Sequence, residues 1–145
     1  MSDNPCTDRN KNWLACLQAS GYRLTRPRKA IVDTLAGSQR ALSPTEIFDL
    51  ARALYPSLGL VSVYRTLEKL EALDLIQRVH QPGGCQTYIA AFTGHQHLLI
   101  CQTCGKVEFF DGDNLNPLIT RVEQESSYHV NEHWLQLFGV CTDCQ

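Results

Sequence analysis

Cys101-x-x-Cys104 and Cys141-x-x-Cys144 are the residues whose types and spacing point most directly to chemistry. Two thiolates separated by two residues can close on one ion, and two such pairs complete a tetrahedron of soft ligands around Zn²⁺. The pairs stand 36 residues apart, with Gly105 and Gly139 beside them to give the turns backbone freedom. A site with four protein ligands is coordinatively closed. It is therefore expected to hold a fold together and to do no Lewis-acid chemistry. Two disulfides, or a redox dithiol, are the competing readings. Disulfides conflict with the reducing compartment inferred below, and a lone redox motif needs no duplicate.

The elements that must position these cysteines follow from periodicity. Residues 9–20 predict a helix with Trp13, Leu14 and Leu17 on one face and Gly21 at its end. A second helix starts near Thr25, a capping residue with Pro27 in the first turn, and carries Ile31, Val32 and Leu35 as its stripe. Ser43-Pro44-Thr45-Glu46 is a capping box that opens a third. A fourth, over 61–73, turns Val63, Leu67 and Leu70 inward and leaves Ser62, Arg65, Thr66 and Lys69 on more polar faces. Residues 76–79 and 86–89 flank Pro82-Gly83-Gly84 and predict a β-hairpin. Helices followed by a hairpin is the order of a winged helix-turn-helix, here spanning 1–89.

A short connector over 90–94 leads to a second module, 95–145. Its pattern is strand, cysteine turn, strand (106–110), helix (114–127) and strand (128–138). The expected fold class is thus α+β: a winged helix-turn-helix followed by a small α+β domain with a four-cysteine zinc site. About 50 residues are too few to rely on a core alone, so a metal staple is expected.

Composition narrows the class. The 145 residues are 43% hydrophobic, enough for a packed protein. There is no run of about 18 apolar residues for a membrane span, and the polar start does not read as a secretory signal. A cytoplasmic location, with no membrane partner, is the expectation. The net charge of −2 conceals a split: residues 1–89 hold eleven Lys/Arg against eight Asp/Glu (+3), and 90–145 hold two against seven (−5). Only the first half suits a polyanion. No nucleophile–base–acid constellation appears, so neither an enzyme nor a small organic substrate is expected. A zinc-ribbon-like protein-interaction module would explain the cysteines but not the helices before them.

Several stretches together resemble the ferric uptake regulator family of bacterial metalloregulators. They are Tyr22-Arg23-Leu24-Thr25-Arg26-Pro27-Arg28, Gly59-Leu60-Val61-Ser62-Val63-Tyr64-Arg65-Thr66-Leu67, His95 through Val107, and His133 through Cys141. The resemblance runs from about residue 9 to the end. It implies a homodimer joined through the C-terminal domains, two winged helices reading a palindromic, A·T-rich operator, and a metal near the hinge that closes the dimer for DNA binding. The implied activity is metal-dependent transcriptional repression in metal homeostasis.

On physical grounds the fourth helix is the candidate for the major groove, with Tyr64 and Arg65 near its N-terminal end. Arg can grip guanine through two hydrogen bonds, and a Tyr ring can pack on a thymine methyl. Periodicity alone equally allows Tyr64 as a half-buried core residue. Arg23 resembles the family's minor-groove basic residue; Arg26, Arg28 and Lys69 would neutralise phosphates, and Ser62 shares the presented face.

A closed cysteine site is a poor reversible sensor, so the regulatory metal needs other ligands. His95 and His97 project from one face of a strand, His133 would come from the last strand, and Glu108 is the nearest carboxylate, with Asp111 and Asp113 as substitutes. His80 and Cys85, around the wing turn, are further candidates. Gln96 and Leu98 stand where many relatives carry histidine, another common histidine would fall near Ala41, and the usual acidic position is Asn116. Imidazoles, a thiolate and few carboxylates favour Zn²⁺ as the sensed ion, with Fe²⁺ or Mn²⁺ second and a peroxide-sensing role third. His129 reads as a surface residue, and Cys6 and Cys16 as incidental thiols.

Overall fold

The computed structural model describes residues 5–81, 83, 84, 86–91, 96–111 and 115–145, with backbone alone at 5–8. The chain divides into two compact units, Met1–Ala91 and Phe92–Gln145.

In the first unit, α1 (Pro5–Ala19) ends where Gly21 turns into the left-handed region at φ +86°, a conformation that costs glycine little. Helix α2 (Arg26–Ala36) starts on Thr25, whose hydroxyl accepts the Arg28 N–H at 3.3 Å. Helix α3 (Pro44–Ala51) has its full capping box: Ser43 Oγ accepts from Glu46 N, and a Glu46 carboxylate oxygen accepts from Ser43 N. Each cap satisfies N–H groups that the first turn leaves orphaned. Helix α4 (Leu60–Ala72) begins at Gly59 without a side-chain cap. Strands β1 (Ile76–His80) and β2 (Gln86–Ala90) then pair antiparallel, His80 opposite Gln86, and Leu42 adds a bridge to Tyr88.

Leu17, Ile31, Leu35, Ile47, Val63, Leu67 and Leu70 are fully buried where the helices meet. Each such side chain is worth roughly 1.5–3 kcal/mol of burial. Thr66 departs from expectation: it is buried, at 2% exposure. Residues 63, 66, 67 and 70 follow the i, i+3, i+4, i+7 stripe of a helix face, so position overrides polarity there.

In the second unit, β3 (Gln96–Cys101) is the central strand. It pairs antiparallel with β4 (Val107–Asp111) and parallel with β5 (Gln136–Gly139). Helix α5 (Asn116–Ser126) lies between β4 and β5 in the chain, and a short 3-10 turn (Thr142–Cys144) closes it. The strand expected over 128–138 is therefore much shorter. Ser127, at φ +61°, ends α5 in the left-handed region, and Glu123 Oε1 accepts the Val130 N–H at 2.7 Å. Pairing with β3 begins at Gln136, opposite Leu98, after Leu98 N donates to the Leu135 carbonyl at 3.4 Å, and residues 128–135 form no strand among the described residues. Gly139 sits in that strand and needs no special φ; Gly105 does, at +77°.

Candidate functional site

The β3–β4 turn carries the first cysteine pair, and the tail leaving β5 carries the second. The turn is fixed by Gly105 N donating to the Cys101 carbonyl and Cys101 N donating to the Lys106 carbonyl, both at 2.9 Å. The tail is fixed by Gln102 N donating to the Gly139 carbonyl at 2.8 Å. These bonds, with the parallel pairing of Cys101 opposite Gly139, fold both ends of the module onto one point.

The ligand sulfurs of Cys101, Cys104, Cys141 and Cys144 all lie within 4.8 Å of one another, with Cys104 and Cys141 Sγ atoms 3.7 Å apart. Zn–S bonds of about 2.3 Å in a tetrahedron put sulfurs roughly 3.8 Å apart, so the cage fits zinc. Electrostatics agree with that fit. Backbone N–H groups of Cys141, at 3.4 Å, and Cys104, at 3.5 Å, donate to Cys101 Sγ and lower its thiol to about 5. The side chain of Cys141, then burial and the neighbouring sulfurs, push Cys144 up to about 12. Thiols this crowded resist ionising together; a divalent cation among them removes the penalty and takes all four as thiolates. Bound there, zinc would tie the two ends of the module together.

The histidine candidates divide. His97 is buried on β3, and its Nε2 has no hydrogen-bond partner among the described residues. The His133 ring, in the segment before β5, lies 5.5 Å from it between centroids, and Phe110 on β4 packs against His97 at 5.6 Å. His133 thus reaches His97 from irregular backbone and not from a strand. Glu108 is exposed and pairs with Lys106 at 3.6 Å; Asp111 accepts from Gln96 Nε2 at 3.4 Å. Among the described residues, neither joins the two histidines in a group of three metal-ligating side chains. His80 is exposed on β1. His95, Cys85 and Asp113 lie outside the described residues.

The first unit presents a different surface. At the start of α4, Val61 and Tyr64 are exposed, 63% and 49%, beside exposed Arg65 and half-buried Ser62. Gly59 leaves the first N–H groups of that helix without a side-chain acceptor, the partial positive end that anions favour. Arg23 and Arg26 are exposed before and at the start of α2. Two other expected phosphate ligands turn toward the protein. Lys69 Nζ donates to the Arg65 carbonyl at 3.4 Å and lies 5.4 Å over the Tyr22 ring, and Arg28 Nη1 donates to the Arg23 carbonyl. Tyr22 is a partner that sequence reasoning passed over, since nothing local marks a ring as a cation's seat.

The model of the ferric uptake regulator family matches residues 19–138, across both units. The chain belongs to the ferric uptake regulator family. It is 30% identical to the ferric uptake regulation protein of Bacillus subtilis, with 88% of this chain and 89% of that protein aligned. It is 29% identical to that of Neisseria meningitidis over 92% and 94% of the two chains. The solved structure of the Vibrio cholerae ferric uptake regulator aligns with a TM-score of 0.69 at 26% identity, covering 88% of this chain and 98% of that one.

Ala41 is buried beside the Leu42 bridge, Leu98 is buried in the second unit, and Asn116 is exposed at the start of α5. Among the described residues, no helix is long and apolar enough to cross a membrane.

Proposed function

We propose that this ferric uptake regulator family member is a zinc-responsive transcriptional repressor that binds palindromic operator DNA as a homodimer. Residues 1–89 would read DNA, 90–94 act as hinge, and 95–145 bind metal and dimerise; the division at Ala91 supports a boundary there. The exposed start of α4, with Tyr64 and Arg65, supports the choice of reading element. Dimerisation is supported by α5, which buries none of its residues and exposes Leu118 and Val122.

The observation that carries the sensing role is the buried, unpartnered His97 Nε2 beside the His133 ring. An imidazole nitrogen buried without a partner is costly unless a ligand completes it. Two neighbouring imidazoles, with His95 two residues upstream, suit a borderline ion such as Zn²⁺. A closed cysteine cage would keep one zinc permanently, and the imidazole pocket would exchange a second.

The test is DNA binding titrated against buffered free Zn²⁺, Fe²⁺ and Mn²⁺, with metal counted per protomer. The expected result is one tightly held zinc, a second exchangeable ion, and operator binding switched on at the lowest free concentration by zinc. Activation by iron or manganese alone would reassign the metal. His97→Ala should retain the first zinc and lose the metal dependence; a wild-type response in that variant would remove His97 from the sensor.

A further inference from the structure

We propose that Arg28 is a positioning residue: it fastens the Arg23 segment for DNA and does not itself grip a phosphate. This rests on the DNA-binding reading above.

The segment between α1 and α2 has few internal ties. At one end, Gly21 turns at φ +86° and Tyr22 N donates to the Leu17 carbonyl at 3.0 Å. At the other end Thr25 caps α2. Between them, the Arg28 guanidinium reaches back five residues, and its Nη1 donates to the Arg23 carbonyl. The Nε of the same guanidinium is buried with no hydrogen-bond partner among the described residues. Arginine holds phosphate best through a side-on fork of two N–H groups. With Nε inaccessible, the side-on fork of Nε and Nη2 is not offered to a duplex, and Nη1 is already engaged by a carbonyl. Arg23 differs: its side chain is exposed. One cation thus orders the backbone from which the other projects, and Lys69, over the Tyr22 ring and bonded to the Arg65 carbonyl, ties the same segment to α4.

A double-mutant cycle separates this from a phosphate contact. The probe is a duplex selected from a random-sequence pool by the full-length, zinc-loaded protein, with affinity measured by anisotropy across a salt series. Arg23→Ala should weaken binding by roughly 5- to 100-fold and lower the salt slope by about one. Arg28→Ala should weaken it by no more than that. The double variant should match Arg23→Ala to within about two-fold, with the same slope. Without DNA, Arg28→Ala should speed amide exchange at residues 22–24, which Arg23→Ala should leave unchanged. Should the alanine variant fail to fold, Arg28→Met, which keeps the apolar stem, takes its place in the cycle.

If the double variant instead multiplies the two losses and sheds a further unit of slope, Arg28 is a phosphate ligand and the inference is overturned. Unchanged exchange in Arg28→Ala overturns it too. Failure to select any duplex removes the DNA-binding reading itself, and this inference with it.

Discussion

The two units of this chain are stabilised in different ways. In the first, four helices and a hairpin enclose a continuous core running from Trp13 and Leu17 through Leu35, Ile47 and Leu67 to Tyr88 and Ala90. In the second, the buried side chains among the described residues are His97, Leu98, Ile100, Cys101 and Val107, and two of those five are candidate metal ligands. Meanwhile Tyr128 and Trp134 are left 75% and 70% exposed. A unit with so little apolar burial cannot offset the conformational entropy of its residues by burial alone. Under the proposed function, zinc in the cysteine cage and a second subunit would supply the remainder. The contrast predicts that the first unit folds without metal and that the second depends on it.

The largest effect should come from opening the cage. Cys101→Ser, or removal of zinc by a strong chelator, should release metal-coupled folding energy of about 10 kcal/mol or more. Hydrogen exchange should then show the 96–145 amides losing protection while 26–72 keep theirs. A metal-free variant with a fully protected second unit would contradict the contrast drawn here.

The next effect belongs to the first unit. Leu67→Ala, at a fully buried position of α4, should cost about 2–5 kcal/mol in denaturant unfolding of that unit. Zinc content per protomer should not change. If zinc is lost together with the core contact, the two units are not energetically separate.

Arg65→Ala tests the exposed side of the same helix. It should leave the unfolding midpoint within error and weaken specific operator binding by about 1–3 kcal/mol if the guanidinium reads a base. Unchanged affinity would move base reading to another residue. The smallest effect is Ser43→Ala, which removes one side of the capping box and should destabilise the first unit by about 1 kcal/mol. Thermal unfolding followed from the first unit should register it, and the metal affinity of the second should not.

Legibility in the sequence followed the same division. Thr25, Ser43 with Glu46, and Gly83-Gly84 at positive φ announce where elements of the first unit start or reverse, because each acts within a few residues of itself. The cysteine pairs were readable for a related reason: the spacing within each pair prescribes a turn whatever surrounds it. The polarity of Thr66 points it outward, yet its position on the stripe buries it. Alternation over 128–135 marks a chain able to pair without saying whether a partner takes it up, and among the described residues it forms no strand. His133 therefore meets His97 across the module by a route that no local pattern encodes.

Residue order alone established the capped starts of α2 and α3, the hairpin and a four-thiolate cage, since caps, turns and chelating pairs work through neighbours in the chain. Folding in space decided which groups from distant segments meet: the parallel pairing that carries the tail back to Cys101, the His97–His133 approach, and the inward turn of Arg28 and Lys69. Those contacts depend on burial and on strand edges contributed by other segments, and so they exist only once the whole unit has closed.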